Sequence, residues 1–318
     1  MTETILKRGH NNKPEKKLSK KQSTFRRNIP FLIMLAIPLI LLLVFSYGPM
    51  YGVLIAFKDY SPGLGIWQSP WNQFDHFKRM FDDFTFIRAL KNTLTISFWK
   101  LLIGFPAPII LALSLNELRF TRFKKLSQTI SYLPYFLSWV IVAAMMVEIF
   151  SPQRGIVNSI ISALGGTPIH FLASEKWFVP ILVISDVWKG IGYGSIVYLA
   201  AITGVDPALY EAAELDGATR LQKMRHVTIP SIMPVILVML ILRVGGILSA
   251  GFDQVLNLYN PAVYSVGDII DTYVYRIGLI DFNFDYSTAV GLFQNLAGLI
   301  MVGGSNWLVK KTTGQNVL

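Results

Sequence analysis

The sequence contains no cysteine, and only 15% of its 318 residues are Asp, Glu, Lys or Arg. A soluble domain carries roughly 25%. Without cysteine there is no disulfide scaffold, no thiolate catalysis and no cysteine-ligated metal site. His10, His76, His170 and His226 are scattered, and no pair has ligand spacing, so no metal site is expected. The acids, histidines and serines form no clustered catalytic constellation. No Gly-x-x-x-x-Gly-Lys-Ser/Thr loop is present, so no nucleotide cradle of that kind is expected in this chain. Low charge with 53% apolar residues also excludes a disordered chain.

What remains is apolar and basic, with a mean hydropathy of +0.47 and a net charge of +10. Stretches long enough to span a bilayer need about 20 residues. Six occur, at about 30–56, 92–115, 127–150, 178–203, 231–250 and 287–308. The first is too long for a signal-peptide core and is read as an uncleaved membrane helix. The second contains Lys100, Pro106 and Pro108, and the fourth contains Asp186 and Lys189. Proline is tolerated in a membrane helix when neighbouring helices satisfy the freed backbone groups.

The charge reports orientation rather than nucleic-acid binding. Residues 1–29 form a polar tail with nine Lys or Arg and only Glu3 and Glu15 in opposition. With the N-terminus inside, the inner segments carry 18 basic residues and the outer ones eight. This is the positive-inside pattern, and it predicts six spans with both termini cytoplasmic. The expected organisation is a basic tail 1–29, a transmembrane domain 30–308 with an inner loop 204–230, and a tail 309–318. In the outer loop 57–91, the run Phe74–Phe86 reads either as a short amphipathic helix at the interface or as a loop packed over the helices.

The inner loop 204–230 is the most informative segment. Asp206 is placed to cap a helix that begins at Pro207. Gly217 would end that helix, and a second short helix from Thr219 to His226 would lead to Pro230, making a compact knob. Small residues at Ala212, Ala213, Gly217 and Ala218 allow another protein surface to approach. Glu211-Ala212-Ala213, three residues, Gly217, nine residues, then Val227-Thr228-Ile229-Pro230 resembles the EAA loop of ABC importer permeases. Val227 and Ile229 stand where that motif has Ile and Leu. Tyr47-Gly48-Pro49-Met50-Tyr51-Gly52, Ile55–Tyr60 and Ser69-Pro70-Trp71 are similar to permeases for complex carbohydrates.

The resemblance implies an all-α integral membrane protein with the type I ABC importer permease fold, in a bacterial cytoplasmic membrane among its lipids. It implies a non-catalytic subunit that moves an oligosaccharide or polysaccharide fragment inward by alternating access. A second homologous permease, an ATPase dimer that uses ATP-Mg, and an extracellular solute-binding protein would be its partners, with no nucleic acid. Tyr210, Glu211, Ala212, Ala213, Asp216, Gly217, Ala218 and Pro230 would then dock the ATPase. Importers of a non-sugar solute and ATP-independent carriers are the alternatives. The chain lacks the internal repeat frequent among such carriers.

Ionisable groups within spans are expensive and point to function. At about 1.5 Å per residue, Arg243, Lys189 and Asp186 lie roughly 18, 21 and 25 Å from the inner end of their helices. Asp186 and Lys189 are three apart and could pair along one face. These groups, with aromatic faces at Trp188 and Tyr193, read either as the lining of a sugar pathway or as a structural salt bridge. Glu148 and Tyr135 are further lining candidates. Phe252, Asp253, Gln254 and Asn257 read as an outer-mouth segment or a solvated loop. Gly190, Gly192 and Gly194 favour close helix packing.

Overall fold

A computed structural model describes residues 20–313, with side chains from 28 to 311. Most of the expected N-terminal tail, and part of the C-terminal one, lie outside the described residues. Among those described, helices account for all regular structure. The sole β pairing is an isolated bridge between Lys58 and Trp71.

The chain divides into two compact units, Met1–Gly52 and Val53–Leu318. The first contains α1 (Lys20–Leu42), followed by a π turn over Leu43–Tyr47 and the start of a 3-10 stretch, Gly48–Phe57. From Asn28 to Tyr51 every side chain except Ala36 is exposed. This apolar surface is therefore left for lipid or another protein.

The second unit contains α2 (Asp75–Asp82), α3 (Phe84–Glu117), α4 (Thr121–Tyr132), α5 (Trp139–Ile149) and α6 (Glu175–Thr203). These are followed by α7 (Pro207–Leu215), α8 (Arg220–Gly245), α9 (Phe252–Leu258), α10 (Ile270–Tyr275) and α11 (Phe284–Thr313). Four helical segments are long and apolar enough to cross a membrane singly: Asn28–Phe57, Phe84–Glu117, Arg220–Gly245 and Phe284–Lys311. Counting two bent pairs raises the number to six.

The third expected span, 127–150, is not one continuous helix. Thr121–Phe136 and Trp139–Ile149 meet at 100°. Pro134 has no amide to continue the ladder, residues Leu133–Phe136 tighten into a 3-10 turn, and Ser138 caps α5 by accepting from Ile141 N at 3.3 Å. The expected second short helix after Gly217 is also corrected. Residues from Arg220 run without a break, through a π turn at Met224–Thr228, into the fifth span. Residues 75–82 form a helix packed over the bundle, with His76 and Met80 buried.

Lipid is as apolar as leucine, so these helices associate through close packing and polar contacts rather than the hydrophobic effect. α6 supplies both. Its first half packs Phe178, Ile181 and Leu182 against Ile96, Val142 and Val255. Its second half packs Tyr198, Leu199 and Ile202 against Ala112, Leu113 and Ile232. At Gly192 the backbone of α4 comes so close that a Cβ would lie 1.9 Å from Ser131 O. Of the three alternating glycines, Gly192 therefore serves close packing, Gly194 meets Pro108, and Gly190 opens onto a cavity.

Candidate functional site: a charged centre among the helices

Asp186 sits between two cations brought from different helices. Its Oδ1 is 3.4 Å from Lys100 Nζ of α3, and its Oδ2 is 3.4 Å from Arg243 Nη2 of α8. The expected Asp186–Lys189 pair does not form. The two residues share a helix face, but the Lys189 ammonium is drawn instead to the break between α4 and α5.

Lys100 is buried, at 4% exposure. A lysine at a bilayer centre costs about 2.5–3.5 kcal/mol on insertion scales, and the fold offsets this with three acceptors. Besides Asp186, the ammonium donates to Ala250 O at 2.8 Å and to Gln254 Oε1. Gln254 Nε2 in turn donates to Leu182 O and Ser185 Oγ, each at 2.8 Å. Gln254 is therefore fully buried on α9 and not in a solvated loop. Its neighbours differ: Asp253 and Asn257 are exposed, and Phe252 packs against Tyr275 with ring centroids 5.6 Å apart.

Lys189 lies at the break between α4 and α5. Its ammonium donates to Tyr135 O at 2.8 Å and faces the Tyr135 and Trp139 rings at 5.1 and 5.5 Å. Tyr135 stacks on Tyr193 at 3.8 Å, nearly parallel. Two cavities flank the Asp186–Arg243 pair. One, of about 280 Å³, is lined by Lys100, Asp186, Arg243 and Gly251. The other, of about 390 Å³, is lined by Tyr135, Trp139, Asp186, Lys189, Tyr193 and Arg243.

Two expected lining residues lie elsewhere. Trp188 borders an apolar cleft with Met145, Ile181 and Ile184. Glu148 pairs with Arg154 at 3.1 Å, both exposed. Adjacent positions on a helix point about 100° apart, which separates Trp188 from Lys189. Sequence reasoning noted Lys100 but gave it no role, although a lysine in mid-span was itself a signal.

The 204–219 loop is ordered by local hydrogen bonds. Asp206 caps α7 by accepting from Ala208 N at 2.9 Å. Gly217 adopts φ +74°, which only glycine takes without strain, and Ala218 N donates to Ala213 O at 2.9 Å. Thr219 and Gln222 form a capping box that starts α8. Tyr210 Oη lies 3.0 Å from Thr228 Oγ1, joining α7 to α8. Lys223 pairs with Glu214, and its hydrogen bond and charge hold the Glu214 carboxyl below its usual range. Glu211, Ala212, Asp216, Gly217 and Pro230 are exposed, whereas Tyr210, Ala213 and Ala218 are half-buried. Leu215, at 90% exposure, projects beside them.

A family model described as the binding-protein-dependent transport system inner membrane component matches residues 104–308. The chain belongs to this family. As an inner membrane component of a transport system, it is a multi-pass transport subunit and not an enzyme. Among its relatives, the Bacillus subtilis (strain 168) Protein LplB is 48% identical over 282 residues, 88% of this chain and 89% of that one. The polygalacturonan/rhamnogalacturonan transport system permease protein YteP of the same organism is 49% identical over 269 residues, covering 85% and 84%. A solved bacterial ABC transporter involved in import of the acidic polysaccharide alginate contains a similar chain. The TM-score is 0.85 at 43% identity, over 93% of this chain and all of that one.

Proposed function

We propose that this inner membrane component forms part of the translocation pathway of an ATP-driven importer for acidic oligosaccharides. The observation that carries the reading is the charge of its two cavities. Lys100, Lys189 and Arg243 face them with Asp186 as the single opposing carboxylate. The stacked Tyr135–Tyr193 pair supplies a flat apolar face beside those cations, suited to a sugar ring that carries a carboxylate. Relatives named for polygalacturonan and alginate transport support the same class. So does a neighbour, 43% identical, solved with an alginate pentasaccharide-bound periplasmic protein.

In this reading a second permease completes the pathway. A solute-binding protein delivers the sugar from outside, and an ATPase dimer engages α7 on the cytoplasmic side. ATP-Mg is hydrolysed by that dimer. Residues Tyr210 to Ala218 and Pro230 make the contact, and Tyr210 passes the movement of α7 to α8, which carries Arg243.

The test is uptake by the assembled transporter in proteoliposomes, with acidic and neutral oligosaccharides of equal length. Acidic substrates should be preferred, and Arg243→Ala should erode that preference. Equal transport of both classes by the unaltered protein would overturn the assignment of substrate class.

A further inference from the structure

Away from the charged centre, three segments remote in sequence converge on one point. Asp59 comes from the loop after the 3-10 stretch, His76 from α2, and Asp285 from the first turn of α11. His76 Nε2 lies 3.6 Å from Asp285 Oδ2 and 3.9 Å from Asp59 Oδ1. The three ligand atoms all lie within 4.8 Å of one another. Lys58 O adds a fourth, 3.1 Å from the same nitrogen. We propose that Asp59, His76 and Asp285, with the Lys58 carbonyl, form a binding site for a divalent metal ion of the zinc or manganese type.

The separations at His76 approach those such an ion needs. Metal–ligand bonds of about 2.0–2.2 Å place tetrahedral or octahedral ligands about 3.0–3.6 Å apart, and two of the separations at His76 lie at or within that range. The Asp59 oxygen is a few tenths of an ångström beyond it, and its side chain, 64% exposed, would shift toward the ion while its hydrogen bond from Asn72 lengthens. An imidazole nitrogen with two carboxylates and a carbonyl suits zinc or manganese better than calcium or magnesium, which take oxygen-only sets.

The surroundings hold these ligands in place. Asp285 Oδ2 also accepts from Tyr60 N at 3.0 Å and its Oδ1 from Tyr286 N at 2.7 Å. The imidazole is buried, at 7% exposure, and its ring packs edge-on to Tyr286. Asn72 Nδ2 donates to Asp59 Oδ1 at 2.9 Å. Its own Oδ1 is buried with no hydrogen-bond partner.

A proton on Nε2 is the rival occupant, because it would bond the Lys58 carbonyl and face both carboxylates. Metal binding requires that nitrogen unprotonated, and its lone pair then faces the two carboxylate oxygens and the Lys58 carbonyl. A bound ion would tie residues 58–60 and α2 to the start of α11, three segments of the second unit otherwise joined by single hydrogen bonds and side-chain packing.

The experiment uses the full chain in the assembled transporter, stripped with EDTA. Zn²⁺ is titrated by calorimetry, and Mn²⁺ by electron paramagnetic resonance. One ion per copy of this chain is expected, with a rise in the melting temperature. Asp59→Asn should weaken binding by at least about tenfold, the order seen when a supporting group is lost. Because Asp59 is exposed, this variant should still assemble. Asp285→Asn should act in the same way. Overturning results are an absence of binding by the unaltered protein, equal binding by the unaltered and Asp59→Asn proteins, or stabilisation that follows protonation and ignores both metals. None of these readouts depends on the sugar carried.

Discussion

Arg243 Nη2 lies 3.4 Å from Asp186 Oδ2, and this ion pair stands between the two cavities. The other oxygen of the same carboxylate serves the buried Lys100. The two cations are therefore not equivalent. Arg243 is half exposed and faces the open space, whereas Lys100 is buried at the edge of one cavity. Asp186→Asn should lower the melting temperature of the purified transporter markedly. Breaking a buried pair costs about 3–5 kcal/mol, and partial exposure of Asp186 puts the expected loss at the low end. Arg243→Ala should cost clearly less stability while changing transport. Equal thermal losses in the two variants would contradict this asymmetry.

Lys189 is held by aromatic rings and one carbonyl, with no carboxylate on it. Lys189→Gln should therefore leave folding intact and raise KM for acidic oligosaccharides. The effect should shrink as salt rises, since a partly exposed charge is still screened. Uptake measured at two ionic strengths checks this.

Gly192→Ala should fail to pack, because its Cβ would fall 1.9 Å from the Ser131 carbonyl. Overpacking costs typically about 1–3 kcal/mol, and here the obstacle is backbone rather than a mobile side chain. Gly190→Ala, with nothing within 4 Å, should keep its stability. Yield and melting temperature of the two variants decide the matter.

Tyr210→Phe removes the contact with Thr228 at a cost of about 1 kcal/mol. The complex should assemble, but stimulation of ATP hydrolysis by the loaded binding protein should fall. Glu211→Lys places the wrong charge on the exposed face of α7 and should abolish that stimulation. Basal and stimulated ATPase rates, measured side by side, separate docking from coupling.

Asp83 gives a pH dependence. Burial disfavours its charged form, but hydrogen bonds from Tyr273 and from the amides of Thr85 and Phe86 outweigh it and lower the pKa below 3.8. A depressed carboxylate contributes stability that is fully present above the unfolded pKa and lost as pH falls through the folded one. Asp83→Asn should therefore be less stable at neutral pH. It should also lose less than the unaltered protein as pH falls below about 4. Thermal melts across that range test it.

The sequence revealed what is local. The spacing from Glu211 to Pro230, the Asp206 cap and the Gly217 stop are all written within a few residues of where they act. The charged centre was only half legible. Asp186 and Arg243 stood out as charges in apolar runs, but Lys100 bonds Gln254 across 154 residues, and no period in the chain announces that distance. Lys189 misled for the same reason, because i,i+3 spacing made Asp186 its nearest partner until tertiary contacts supplied Tyr135. The break at Pro134 was marked by the proline itself. Its consequence, a near right angle, depends on Ser138 capping the next helix.

The close approach at Gly192 also limits how these helices can move. With no side chain between the α4 and α6 backbones, sliding one along the other would drive neighbouring side chains into the contact, whereas rocking about it would not. The crossing point is thus a fulcrum. The Tyr135–Tyr193 stack lies within one turn of it and would hardly shift. The far end of α6 lies further out on the lever and would move most.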